Sequence, residues 1–290
     1  MSRLNGVGVA LIAPFNEDLS VDFDSLTRLI DYNINNGTGF LVALGTTAEA
    51  ATLSTEEKKQ VTEHIIKVNN GRLPLVLGIG GNNTLEVKNQ IETTNLSDFD
   101  AVLSVSPYYN RPNQEGLYQH YKALASTGKN IIIYNVPSRT GQNLEAQTTI
   151  RLAEEFPNLI MIKEAAPNIL QYFDILRKKP KNFQLLSGDD EFTLPVTLEG
   201  GNGVFSVIAQ AYPKEFSTMV QLAKDRKVDE AYAIHNKLVE ITRLIFAEGN
   251  PAGIKTVLAE MGIIKNYLRL PLVAASESLQ SKIKQEMNSI

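Results

Sequence analysis

Cysteine is absent from the 290-residue chain, which excludes disulfides, thiolate catalysis and cysteine-based metal sites. The absence also fits a reducing cytoplasm. Histidine is scarce, with three copies: His64, His120 and His235 all fall in predicted helices. None has a partner at a ligand spacing such as H-E-x-x-H, so the residues argue against a metal site. An excess of basic charge is missing too, with 28 Lys and Arg against 32 Asp and Glu and a formal net charge of −4. That balance argues against nucleic acid as a partner. No apolar run is long enough to span a bilayer, and the first residues lack the extended apolar core of a secretion signal. The expectation is a cytoplasmic protein with no membrane partner.

What is present is a rhythm. Short, nearly continuous apolar and β-branched runs occur at 7–12, 40–44, 75–79, 101–105, 131–134, 159–162, 183–186 and 203–206. Continuous apolar character marks strands covered on both faces. Between them lie amphipathic helical stretches with readable starts: the Ser54-x-x-Glu57 capping pattern, Asn83 before a second helix, Asn113 before a third. Eight strand signals alternating with helices predict a (β/α)8 barrel of the TIM type, with an open doubly wound sheet as the alternative. The strand signals stop near residue 224. Helical stretches follow at 228–246, 252–261 and 276–288, so the chain divides into a barrel over 1–224 and a C-terminal three-helix extension over 225–290.

Lys163 interrupts this pattern, sitting at the end of the apolar run Leu159-Ile160-Met161-Ile162. Burial disfavours an ammonium, and an amine held in the neutral form is what Schiff-base chemistry on a carbonyl requires. The plain alternative is a lysine that snorkels from the strand end or pairs with Glu164. In a barrel, catalytic groups gather at the C-terminal strand ends. Those ends carry Thr46 and Thr47 in a turn suited to a small carboxylate, Tyr134 as a phenol, and Arg139 as a bidentate fork for a second carboxylate. Each also has a structural reading: turn chemistry for the threonines, a core aromatic for Tyr134, a surface loop arginine for Arg139. The stretch Gly78-Ile79-Gly80-Gly81 lacks the third glycine of a dinucleotide fingerprint, since Asn83 stands there. Asp189-Asp190-Glu191 reads as a helix N-terminal cap.

The strings GTTAEAATL, SPYYNRPNQEGLYQHY, YNVPSRTG, IKEA and SGDD, in this order and spacing, resemble the dihydrodipicolinate synthase family. The likeness runs from the first strand to the helical C-terminus. It implies a (β/α)8 barrel with a helical C-terminal domain, and a condensation of pyruvate with L-aspartate 4-semialdehyde in diaminopimelate and lysine biosynthesis, without metal or organic cofactor. Carried over by motif, Lys163 forms the Schiff base with pyruvate and Tyr134 relays protons. Thr46 and Thr47 hold the pyruvate carboxylate and link the relay. Tyr109 enters from a neighbouring subunit, Arg139 binds the aldehyde's carboxylate, and Gly188 and Phe205 line the lysine. The family favours a homotetramer built as a dimer of dimers.

Two alternatives accompany this reading. An N-acetylneuraminate lyase or a 2-keto-3-deoxy sugar acid aldolase shares the lysine and the tyrosine, and Arg139 separates the synthase from them. A non-catalytic barrel that senses a keto acid is the reading from another class, and it would tolerate loss of Lys163, Tyr134 or Tyr109.

The chain departs from the family in two places. Ala48 stands where glycine is usual, and a left-handed backbone there would strain alanine. The resemblance also places a lysine-binding regulatory site at Ala50, Thr55, Lys58, Asn82, Glu86 and Tyr108. Asn82, Glu86 and Tyr108 have the usual types, whereas Ala50 replaces serine and Thr55 and Lys58 replace histidines. The expectation is weak or absent feedback by lysine. Initial rates of the purified protein should change little at millimolar lysine, and strong inhibition would contradict it.

Overall fold

The computed structural model describes residues 3–290. Eight strands close into one parallel barrel in sequence order, each bonded to its neighbours and β1 to β8. They are β1 (Gly6–Ala10), β2 (Phe40–Ala43), β3 (Leu75–Gly78), β4 (Ala101–Val105), β5 (Ile131–Asn135), β6 (Leu159–Glu164), β7 (Gln184–Ser187) and β8 (Gly203–Ser206). Closure rules out the open sheet. Every strand sits within two residues of its expected position, and the one informative shift is at β6, which takes in both Lys163 and Glu164.

Among the described residues nine α-helices follow the strands: α1 (Phe23–Asn35), α2 (Thr55–Asn69), α3 (Thr84–Thr93), α4 (Gln114–Ala125), α5 (Pro137–Thr140), α6 (Ala146–Glu155), α7 (Ile169–Lys178), α8 (Thr193–Leu198) and α9 (Pro213–Lys224). Three more close the chain, α10 (Val228–Phe246), α11 (Ala252–Glu260) and α12 (Glu277–Met287). The cap signals act as their chemistry requires. Ser54 and Glu57 form a reciprocal capping box at α2, and the Asn83 and Asn113 side chains accept from Leu85 and Gly116 backbone N–H groups. The acidic run before α8 behaves differently from a helix cap. Asp189 accepts from the N–H groups of Glu191 and Phe192, one residue short of the helix. Asp190 turns away and accepts from Val207 and Ile208 after β8.

Two apolar clusters divide the interior. Phe40, Val42, Val76, Leu103, Ile132, Met161, Leu186 and Phe205 belong to the barrel lumen, while the second cluster fills the layer between strands and helices. The division follows from strand geometry, since successive side chains point to opposite faces. Ile132 and Tyr134 therefore point inward from β5, and Ile131 and Ile133 point outward. The lumen is filled to the point that Gly8 has no room for a side chain. A Cβ there would lie 2.0 Å from the Phe40 ring, which packs edge-on to Phe205.

The C-terminal helices are bound to the barrel by charge as well as packing. Lys255, in the largely apolar α11, and Glu49, in the turn after β2, form an ion pair of 2.5 Å with no exposure on either side chain. Glu49 also accepts from the Arg269 backbone N–H, and Lys255 donates to the Tyr267 carbonyl. Burial pushes the Lys255 ammonium down to about 8, with the Glu49 carboxylate opposing that shift. A buried pair stripped of one partner strands a charge in the interior, a loss of about 3–5 kcal/mol. Lys255→Met should lower the unfolding free energy by about that much, and the double change Glu49→Leu with Lys255→Met should recover most of it. Urea unfolding of the three proteins checks this, and a double variant no more stable than the single one would contradict it.

Candidate active site

The sixth strand presents two ionisable groups in opposite directions. Glu164 faces outward, where its carboxylate accepts from Asn135, Gln171 and the Ala166 N–H at 2.7–3.1 Å. Burial raises its proton affinity to about 7, against those donors, which favour the ionised form. Lys163 faces the lumen and is 6% exposed. The two neighbours are therefore not an ion pair, and among the described residues no carboxylate is salt-bridged to Lys163.

Tyr134 is the register partner of Lys163 across β5 and β6, and the amine nitrogen stands 4.2 Å from the centroid of its ring. Phe205 lies on another side, 5.6 Å from the nitrogen to its ring centroid. Gly188 follows β7, and its lack of a side chain is a spatial requirement. A Cβ there would stand 3.0 Å from Cγ and Cε of Lys163 and 2.8 Å from the Ala165 Cβ. The lysine stem is thus walled by two rings and a glycine, with its amine at the C-terminal mouth of the barrel.

Thr46 and Thr47 form a single 3-10 turn with Ala48 directly after β2. Thr46 is exposed, and Thr47 is 3% exposed. Ala48 is buried without a left-handed backbone; that conformation falls on the next residue, Glu49, at φ 51°. Alanine is therefore unstrained there. The Thr47 hydroxyl accepts from the Asn250 side-chain amide at 2.9 Å.

Arg139 lies in α5, a turn not foreseen from the sequence, and donates to the Asn250 main-chain carbonyl at 3.3 Å. Tyr109 stands apart from this group within one chain. It is 90% exposed, on a backbone with φ 73°. Lys163, Tyr134, Phe205 and Gly188 are thus brought together, Thr47 and Arg139 are joined through Asn250, and Tyr109 projects into solvent.

The residues of the expected lysine site lie on neighbouring surface elements. Ala50 precedes the capping box and Thr55 lies within it, Lys58 is half-buried in α2, and Glu86 is exposed in the first turn of α3. The Asn82 carbonyl accepts from Asn110, one residue beyond the pair Tyr108–Tyr109. No three His, Asp or Glu side chains converge among the described residues in a way that could hold a metal ion. No helix among them is long and apolar enough to cross a membrane.

Sequence reading missed three supporting residues, Glu49, Lys255 and Asn250, and weighed Glu164 only as an ion-pair partner of Lys163. Lys255 carried the same signal that singled out Lys163, a lone lysine within an apolar segment (Ala252–Leu258). Asn250 leaves only a local signal, that of an asparagine before Pro251.

The chain matches the Dihydrodipicolinate synthetase family over residues 3–290. It is 52% identical over 284 residues to the 4-hydroxy-tetrahydrodipicolinate synthase of Flavobacterium psychrophilum, covering 98% of this chain and 97% of that one. Among solved structures, a dihydrodipicolinate synthase crystal structure superposes with a TM-score of 0.94 at 42% identity, covering 99% of this chain and all of the other. The chloride-inhibited dihydrodipicolinate synthase of Acinetobacter baumannii, complexed with pyruvate, superposes with a TM-score of 0.95. It is 38% identical, and the match covers 99% of this chain and 98% of that one.

Proposed function

The chain belongs to the dihydrodipicolinate synthetase family, and on that premise we propose how its own residues carry out the synthase reaction, the condensation of pyruvate with L-aspartate 4-semialdehyde through a lysine Schiff base. The observation that carries the assignment of roles is the Lys163 amine beside the Tyr134 ring inside the barrel mouth. The amine adds to the keto carbon of pyruvate, and loss of water leaves a protonated imine. That imine is an electron sink, so a methyl proton departs to give an enamine. The enamine carbon then attacks the aldehyde carbon of the second substrate.

Tyr134 stands where its phenol serves as a proton donor and acceptor for these steps, so no strong base is needed. Thr46 and Thr47 take the pyruvate carboxylate, and Gly188 and Phe205 shape the space around the imine. Arg139 takes the carboxylate of the aldehyde as a bidentate fork. Holding both substrates by their carboxylates turns an encounter of two molecules into an oriented reaction. A polyol aldolase of the N-acetylneuraminate type would meet its substrate with hydroxyl partners, so Arg139 favours the synthase.

Tyr109 belongs to this scheme as the group supplied by a neighbouring subunit. Its near-complete exposure supports that role, and so does its left-handed backbone, since that conformation is costly in a tyrosine. The proposed assembly is a homotetramer of two tight dimers in the cytoplasm, with closed symmetry. The surface at Ala50, Thr55, Lys58, Asn82, Glu86 and Tyr108 is its weak regulatory lysine site.

Borohydride reduction in the presence of pyruvate should leave a covalent adduct on Lys163, located by peptide mass spectrometry, and none in Lys163→Ala. Aspartate semialdehyde should then be turned over in preference to N-acetylmannosamine; an unmodified Lys163, or the reverse preference, would refute the assignment. Mixing refolded Lys163→Ala and Tyr109→Phe subunits, each with little activity alone, should restore partial activity. No recovery would place Tyr109 outside its neighbour's site.

A further inference from the structure

Asn250 lies between α10 and α11, outside the barrel sequence, yet it touches both groups assigned to substrate carboxylates. Its side-chain nitrogen donates to the Thr47 hydroxyl at 2.9 Å, and its main-chain carbonyl accepts from Arg139 at 3.3 Å. The residue is 8% exposed, and its side-chain oxygen has no hydrogen-bond partner. An amide buried with one half unsatisfied is costly. Its retained contact is the one its nitrogen makes to Thr47.

That contact has a direction. A threonine hydroxyl has one proton to give and two lone pairs to accept with. With a lone pair occupied by the Asn250 amide, the proton of Thr47 is left to donate elsewhere, and Thr47 itself is 3% exposed. The segment that carries Asn250 is anchored a few residues on. Lys255, in the helix that follows, pairs with Glu49, two residues after Thr47. The amide and the hydroxyl are thus held from both sides.

We propose that the Asn250 side chain is a positioning residue for pyruvate, which fixes the Thr47 hydroxyl as a proton donor toward the keto-acid carboxylate. The proposal rests on the site assignment above. It makes the two carboxylate-binding groups separable in one residue: the side chain acts on the pyruvate side through Thr47, and the main chain acts on the aldehyde side through Arg139. Truncating the side chain removes the first contact and keeps the second.

The test is steady-state kinetics of Asn250→Ala and of the nearly isosteric Asn250→Asp, with thermal melting of each. Asn250→Ala should raise the pyruvate KM about five- to tenfold with little change in kcat, as expected for binding lost equally in ground and transition states. The KM for aspartate semialdehyde should stay within about twofold, because its arginine contact is to the main chain. Asn250→Asp has only acceptors to offer Thr47 and draws its proton away, so its pyruvate KM should rise at least as far. In a Thr47→Val background, Asn250→Ala should add nothing, since the hydroxyl it positions is gone.

Unchanged pyruvate KM in both variants overturns the proposal. So does a proportional rise in both KM values with a fall in melting temperature, the pattern of a purely structural residue, and so does full additivity with Thr47→Val. If the wild type forms no reducible pyruvate adduct on Lys163, the site assignment fails and takes this role with it. If the adduct forms and the pyruvate KM does not move, only the role of Asn250 fails.

Discussion

In a closed barrel of parallel strands a side chain has two directions available, into the lumen or out to the helices, and the alternation leaves no third. This constraint organises the chemistry of the chain. Met161 and Lys163 fall inside on β6, and Ile162 and Glu164 fall outside. On the neighbouring strand the same count puts Tyr134 inside and Asn135 outside, so the amine and the phenol meet in register while a carboxylate one residue away is walled off behind the backbone. The lysine's closest polar neighbour in sequence is therefore absent from its surroundings. Aromatic rings and a glycine occupy that space instead. A shift of one residue along β6 would exchange Lys163 for Glu164 and abolish the site.

The barrel wall holds the amine proposed to react, whereas the proposed binding groups sit on a turn, and turns are less constrained. Here the helical C-terminus removes that freedom. The turn Thr46–Ala48 ends in Glu49, whose left-handed backbone is held by the buried pair with Lys255 and by the Arg269 N–H. Arg269 in turn holds Glu57, where the guanidinium keeps the carboxylate down at about 2, and covers the Phe15 ring. One segment far along the chain thus grips the second βα turn at three places: Thr47 through Asn250, Glu49 through Lys255, and the capping box through Arg269. The cost of burying those charges is offset only while each keeps its partner. The extension accordingly supports the proposed site as much as the barrel does.

How much of this could be read beforehand follows from the kind of signal each residue leaves. Lys163 was legible because a cation in an apolar run breaks a pattern, and the strand ends were legible because continuous apolar stretches stop there. Ser54, Asn83 and Asn113 were legible because capping is local chemistry within a few residues. Asn250 was not, since its partners Thr47 and Arg139 are more than a hundred residues away and an asparagine before proline is commonplace in a turn. Asp190 misled for the same reason. Its position before a helix suggests a cap, and its actual partners are the backbone N–H groups of Val207 and Ile208 after the next strand. Ala48 was suspect on local grounds, yet the left-handed conformation falls on Glu49, where a buried ion pair sustains it.

The sequence by itself determined the repeating strand–helix order, the helix caps, the absence of thiol chemistry and the identity of the groups at the strand ends. Those properties depend on periodicity and on residue type, which are local. Only the tertiary structure decided that the sheet closes, which of two adjacent ionisable residues faces the lumen, and which distant residues hold the threonine turn. Those outcomes depend on register and on contacts across the chain, where pairing between remote side chains outweighs what either segment prefers alone.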